Sequence, residues 1–292
     1  MKKISFLILL ILFVLTGFSQ DKTINVIVFG AHPDDCEADA GGVAYLFTSM
    51  GHRVKFVSIT NGDKGHPEKG GGDLAKIRRK ETIEAAKILG VQEYDVMNNH
   101  DGELMPTLEN RWEVIRKIRE WNADIVIACR PNDYHPDHRY TAILVQDAAY
   151  LVTVPNILPD VPPLKKNPLF LYAQDNFQRP NPFQFDITID ISDTYMTKIA
   201  SMAAHESQHF YWLPWLSGTL DKVPKEKDDR LKWLANKRKL NITPEIKKRM
   251  ELWYGKERAE KASHVESFEI CEYGMRPSEE QIRELFPMIS KN

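Results

Sequence analysis

Cysteine is scarce. The 292-residue chain has 3, at Cys36, Cys129 and Cys271. An odd number at spacings that match no zinc knuckle excludes a disulfide framework. Cys129 closes an apolar run and Cys36 follows a polar turn, so both read as small buried residues rather than nucleophiles. Charge of one sign is also lacking. The formal net charge is −2, and no lysine–arginine block stands clear of neighbouring acids, so the footprint of a nucleic-acid binder is missing. Internal repeats are missing too, and no GxGxxG follows the first apolar run, which removes a dinucleotide cofactor. One long apolar run exists, Ile4 to Phe18, with Met1-Lys2-Lys3 before it and Ser19-Gln20-Asp21 after it. A basic start, a short apolar stretch and a polar exit read as a secretory signal peptide over 1–20. The run is too short for a comfortable membrane span, and the alternative is a retained N-terminal anchor. The expected mature protein is exported, periplasmic or secreted, with no stable membrane insertion after cleavage.

What remains suits one large α/β domain over 21–292. Residues 24–29 are apolar on both faces, as buried parallel strands are. Further strands are expected at 54–59, 94–97 and 125–128. Helices are expected at 38–50, 74–89, 110–121 and 140–151. In the 74–89 helix Ile77, Ile83, Ala86 and Ile88 fill the apolar positions; in the next, Trp112, Ile115, Ile118 and Trp121 read as a core stripe. This alternation predicts a Rossmann-like open, mostly parallel sheet flanked by helices, an α/β core over 24–151. Residues 152–292 would form a lid or C-terminal part. Prolines crowd 152–185, which reads as a long irregular connection. A strand is expected at 185–191, a helix at 193–210, charged helices with a solvated face at 222–258, and a last strand at 265–273. The proline-rich segment and charged helices suit a lid or an interface in a homo-oligomer equally.

The chemistry gathers at two strand ends. Ala31-His32-Pro33-Asp34-Asp35 follows the first strand, and His135-Pro136-Asp137-His138 follows the strand at 125–128. Either alone is a weak signal, since Pro-Asp often just opens a turn or caps a helix. Together they are not, because a packed core has no use for so many polar groups. A catalytic zinc site takes three protein ligands and keeps one position open, and His32, Asp35 and His138 can supply that set. Iron(II) or cobalt would accept the same donors. Asp34 is then left over as general base for an attacking water, and His135 as a group to stabilise an oxyanion or protonate a leaving nitrogen. Asp101, after the third strand, reads as a pocket-lining residue or a turn. His205 reads as a helix histidine satisfied by backbone, and Trp212 and Trp215 as core rather than a sugar platform.

The chain resembles the LmbE-like, or PIG-L, deacetylases. The resemblance rests on AHPDD at 31–35, Gly41-Gly42, HPDHR at 135–139, the segment RRKETIEAAKILG at 78–90 and HESQ at 205–208, and spans residues 24–210. It implies the LmbE-like fold, zinc on His32, Asp35 and His138, Asp34 as base and His135 as electrophilic or acid partner. It also implies that Asp137 orients a neighbouring histidine, and that Arg78 contacts substrate; the alternative for Arg78 is a salt bridge with Glu81. A tyrosine found in one branch two places before the first histidine of HPDH is replaced by Asp133, with Tyr134 adjacent, so that role is not carried over. The reaction implied is zinc-dependent hydrolysis of an N-acetyl group on an amino-sugar-containing small molecule or glycan. The alternatives are hydrolysis of another N-acyl amide, and a non-catalytic zinc-containing carbohydrate-binding protein. The intact Asp34 and His135 speak against the second, since binding alone needs neither.

Overall fold

The computed structural model describes residues 22–289; the leader expected at 1–20 lies outside them. Strand β1 (Asn25–Gly30) is buried along its whole length and pairs in parallel with β2 (Arg53–Thr60) on one side and β4 (Ile125–Ala128) on the other. Strand β3 (Glu93–Asn99) adds in parallel to β2, and β5 (Leu169–Ala173) adds in parallel to β4. Strand β7 (Val265–Ile270) then runs antiparallel between β5 and β6 (Ile187–Asp190), giving one seven-stranded sheet of order β3-β2-β1-β4-β5-β7-β6. The chain reverses its direction of travel across the sheet between β1 and β4. Open α/β sheets place their sites at such a point, beyond the carboxyl ends of the strands. The expected α/β class holds.

Helices cover both faces. On one face α1 (Asp35–Ser49), α5 (Tyr195–Ala203) and α8 (Pro244–Tyr254) pack over residues such as Val28, Phe56, Ile199 and Trp253. On the other, α3 (Leu108–Glu120) and α4 (Pro136–Leu151) cover Ile27, Phe29 and Val126. In α3 the buried stripe is Val114, Ile115 and Ile118, continued by Trp121, whose indole N–H donates to the Val26 carbonyl at 2.8 Å. Trp112, expected in that stripe, is 40% exposed. Helix α2 (Gly71–Leu89) likewise buries Leu74, Arg78, Thr82, Ala85, Ala86 and Leu89, and leaves Ile83 and Ile88 outside. Its inward face is set by Arg78, a charged residue that apolar periodicity does not see.

Three further expectations are corrected. The segment 152–185 is not irregular throughout, since β5 crosses its middle, buried beside β4. Flanking prolines hid a strand only five residues long. The helix expected at 193–210 is broken: α5 ends at Ala203, and a π-helical turn follows over Ser207–Trp212. Of the charged helices at 222–258, α7 (Lys227–Lys237) and α8 do more than present a solvated face, because Leu234, Ile246, Met250 and Trp253 are buried in the core.

Helix α1 carries a break of its own. Ala40 sits at φ −145°, ψ 17°, which interrupts the helical ladder. The N–H groups of Gly42 and Val43 donate instead to the Glu266 carboxylate of β7, at 2.9 and 2.7 Å. Lys198 of α5 donates to the Ala38 carbonyl and to Glu266, both at 2.7 Å. Glu266 thus caps the second half of the helix and Lys198 the first. Gly42 is required there, since a Cβ would lie 2.9 Å from the Ile191 side chain. The break fixes the first turn of α1, Asp35 to Asp39, as a separate unit over the sheet edge.

Candidate active site

The turn after β1 is built for close approach. A Cβ on Gly30 would meet the Asp35 Cβ at 2.8 Å, so only glycine lets the helix start fold over the strand end. Asp34, the residue before α1, sits at φ 147°, ψ −17°. A non-glycine residue there costs on the order of 1–3 kcal/mol, and such strain collects at functional sites. It is held by the His32 N–H donating to Asp35 Oδ2 at 2.7 Å, the Asp35 N–H returning to the His32 carbonyl at 3.2 Å, and Arg78. The Arg78 guanidinium is 1% exposed; it donates to Asp34 Oδ1 and the Pro33 carbonyl, each at 2.7 Å, and to the Gly62 carbonyl at 3.3 Å. Arg78 borders the cleft, as a substrate contact would, but the alternative salt bridge with Glu81 is not formed. Its guanidinium lies under the turn against Asp34, and Glu81 is instead engaged by the Ser207 N–H and hydroxyl at 2.8 and 2.7 Å.

Three donor atoms converge above this turn. His32 Nδ1 and His138 Nε2 stand 3.3 Å apart, and Asp35 Oδ2 lies 3.5 Å from the first and 3.4 Å from the second. Ligand atoms about 2.0–2.2 Å from a four-coordinate ion are separated by roughly 3.3–3.5 Å at tetrahedral angles. The triangle would therefore suit one divalent cation held at the cleft wall by these three side chains. The remaining ring nitrogens are also spoken for. His32 Nε2 faces Asp137 Oδ2 and Asp101 Oδ1, both at 3.2 Å, and His138 Nδ1 faces Asp133 Oδ2 at 3.1 Å. A carboxylate behind each histidine fixes the ring and leaves the other nitrogen free to ligate. A second grouping, His32, His135 and His138, also comes within 4.8 Å, and so do His32, Asp101, His135 and Asp137. These are less apt, because His135 Nδ1 accepts the Asp137 N–H at 3.2 Å and His32 Nε2 already faces two carboxylates.

The electrostatics ask for positive charge. Burial works against a charged His138, yet Asp35 and Asp133 outweigh it and push the imidazole up to about 9. Burial opposes a charged His32 as well, but Asp101, Asp137 and Asp35 raise it well above the usual histidine range. Asp35 is driven the other way: burial alone would raise it, but His138 and His32 hold it far below the usual carboxylate range. Without another cation the cluster recruits protons. Asp34 is raised by burial, with Arg78 pulling back. His135 is lowered, by burial and then by His32 and His138, so its ring is neutral near pH 7.

The structure brings all the expected site residues to this cleft of about 530 Å³; Asp137 lies behind its wall, fully buried. Asp137 accepts from the Gly102 and Leu104 N–H groups at 2.6 and 3.3 Å, tying the β3 loop to α4. Two further carboxylates back the histidines with it: Asp101, which lines the cleft as one reading of the sequence had it, and Asp133, to which sequence reasoning assigned no role. Asp133 carries a local signal, because its Oδ1 accepts the His135 N–H at 2.8 Å in a turn that leads into a helix N-terminus. For Asp101 the sequence signals the place but not the contact with His32, which is made across the sheet. His205 is not satisfied by backbone as expected: its Nε2 meets the buried Glu37 carboxylate at 3.0 Å, and the Tyr94 hydroxyl donates to the other oxygen at 3.2 Å. Trp212 and Trp215 are not core either. Trp212 lines the cleft, stacked on Trp215 at 5.4 Å between ring centres, and Trp215 is 49% exposed. Cys129 lines the cleft with its thiol against the His138 carbonyl at 3.2 Å; burial pushes that thiol well up, which fits an inert role.

Residues 27–149 match the model of the GlcNAc-PI de-N-acetylase family, PIG-L. Among solved structures it is similar to an N,N'-diacetylchitobiose deacetylase from Pyrococcus horikoshii, at 26% identity and TM-score 0.60, covering 84% of this chain and 82% of that one. It also shares its fold with a 4-carboxy-2-hydroxymuconate hydratase from Pseudomonas putida, at 16% identity and TM-score 0.67, over 88% of this chain and 98% of that one. A third likeness, again of fold, is to an A40926 pseudoaglycone deacetylase, at 14% identity and TM-score 0.56, over 85% and 96% of the two chains. Since one of these folds carries a hydratase, the fold does not decide the reaction, and the side chains at the site must.

Proposed function

We propose that this protein is a divalent-metal-dependent hydrolase, zinc being the ion its donors suit best, that removes the N-acetyl group from an amino sugar. The observation that carries this reading is the 3.3–3.5 Å triangle of His32 Nδ1, Asp35 Oδ2 and His138 Nε2 with Asp34 and His135 beside it. An ion held by those three atoms would supply Lewis acidity toward an amide carbonyl and lower the pKa of water toward neutrality. Asp34, free of the ligand set, takes the proton of the attacking water, while Arg78 holds its Oδ1 and leaves Oδ2 for that task. The His135 Nδ1 accepts a backbone N–H, so the neutral ring carries its proton on Nε2, which donates to the oxyanion as the carbonyl becomes tetrahedral. The C–N bond breaks, the proton held by Asp34 passes to the departing nitrogen, and acetate and a free amine result.

The family match and the likeness to the diacetylchitobiose deacetylase support the acyl group and the sugar. The leader read at 1–20 supports a substrate met outside the cytoplasm, such as an envelope fragment or an exogenous glycan. Acetate release from a panel of N-acetylated amino sugars, before and after chelation and re-addition of zinc, tests the proposal. Chelator-sensitive release from at least one sugar is expected. Release that survives complete removal of metal, or none from any N-acetylated sugar at full metal loading, would overturn it.

A further inference from the structure

A second cavity lies away from the cleft, and no residue lines both. It measures about 710 Å³, within the roughly 300–1,000 Å³ of small-molecule sites. It sits between α2, α5 and α7, the outer two each packing on α5. The segment after α5 divides it from the cleft: Glu206 and Phe210 line this cavity, whereas Gln208 between them lines the cleft. The floor is apolar. Ile77 and Ile88 come from one face of α2, Ala200 and Ala203 from α5, and Phe210 and Leu231 close the far side. Alanine methyl groups are all that α5 presents here, so the space between the helices stays open. Ile88 is left 36% exposed although its helical spacing marks it for burial.

The rim of this cavity is cationic. Lys80, Lys225, Lys227 and Arg230 stand around it, and none has an ion pair among the described residues. Of the three acids there, Glu84 is paired with Lys87 at 2.7 Å and Glu81 accepts from Ser207, which leaves Glu206 alone against four cations. Arg230 is held in place: its Nε donates to the Pro224 carbonyl at 2.9 Å, and its guanidinium lies 5.1 Å from the centre of the Phe210 ring. Both of its Nη groups are without a partner among the described residues. A guanidinium fork fixed over an apolar floor, with no acid to engage it, matches a carboxylate bidentately. A neutral hydrocarbon would leave that fork unused, and a small polar anion would leave the floor in water. We propose that the cavity is a binding site for a medium-chain aliphatic carboxylate, its head on Arg230 and its chain along Ile77, Ala203 and Leu231. The site stands apart from the triad, so this inference does not rest on the hydrolytic reading.

Isothermal titration of octanoate, decanoate and dodecanoate into the zinc-loaded protein, below their micellar range, tests the proposal. One dodecanoate per chain should bind, with affinity rising about two- to fourfold per added methylene, the scale of burying each in part or whole. Dodecyltrimethylammonium, the same chain on a cationic head, should not bind. Arg230→Gln should weaken dodecanoate about tenfold or more, as the loss of a charge-assisted pair does. Because Arg230 also anchors Pro224, a second protein carries Lys225→Glu with Lys227→Glu, both at exposed positions. It should keep the wild-type Tm and bind dodecanoate more weakly, with the deficit larger at low salt than at high. His138→Ala removes a donor from the triad and should bind dodecanoate as the wild type does. No saturable binding, equal binding of the cationic chain, or affinity lost in His138→Ala but kept in both rim proteins would overturn the proposal.

Discussion

Replacing Asp34 by Asn separates the base from everything around it. Asparagine has the same shape, meets the φ of 147° as aspartate does, and keeps an oxygen to accept from Arg78 at the 2.7 Å site. The Pro33 and Gly62 carbonyls continue to hold the guanidinium. What is lost is the negative charge and the ability to take a proton. Weakening one charge-assisted hydrogen bond to a buried guanidinium costs on the order of 1–3 kcal/mol of stability, which a domain of this size should survive. Removing a general base costs about 10²–10⁴ in rate, or about 2.7–5.5 kcal/mol in the barrier. Steady-state acetate release should therefore show kcat down by at least about a hundredfold, with KM and bound metal close to wild type. A variant that folds, loads metal and retains kcat within about threefold of wild type would refute the assignment of Asp34, because no base contribution is that small.

Three further outcomes follow from other parts of the structure. Glu266→Ala strands the buried Lys198 and uncaps Gly42 and Val43, so it should destabilise the fold by about 3–5 kcal/mol, read as a Tm fall on the order of 10 °C. His205 is opposed by burial but raised above its ordinary value by Glu37. A group raised on folding contributes stability that is full below its unfolded pKa and is lost as pH rises through the folded one. Urea titrations should thus show His205→Asn costing more at pH 6 than at pH 9, and an equal cost at both would count against the ion pair. Metal uptake must expel the proton that Asp35 and Asp133 hold on His138, a group pushed up to about 9. Apparent zinc affinity, measured with a competing chelator, should climb about tenfold per pH unit per displaced proton below that value, and a flat profile would contradict it.

The sheet and the triad were legible because both are written in local pattern. Buried parallel strands read as unbroken apolar runs, and the His and Asp donors sit immediately after two of them, where the turn must expose polar side chains. Groups that make sense only through distant partners were not legible. Arg78 reads from the sequence as a substrate contact or a partner of Glu81, yet its guanidinium is buried under Asp34 because the strained turn needs a fork of donors beneath it. Glu37, Glu266 and Lys198 carry no local signal, because each is buried against a partner far along the chain. Strand β5 was lost among prolines because its neighbour β4, not its own pattern, defines it. Trp212 and Trp215 read as core because aromatic residues usually are, and only the π-helical turn that ends at Trp212 and brings it to the cleft, with Trp215 stacked on it, says otherwise.

Metal content of the purified, zinc-reconstituted protein and of its single variants bears most directly on the central claim. One ion per chain is predicted for the wild type, with loss in each of His32→Ala, Asp35→Ala and His138→Ala and retention in Asp34→Asn. X-ray absorption should place two nitrogens and at least one oxygen about 2.0–2.2 Å from the ion. A wild type that takes up no divalent ion, or three ligand variants that all keep it, would contradict the account.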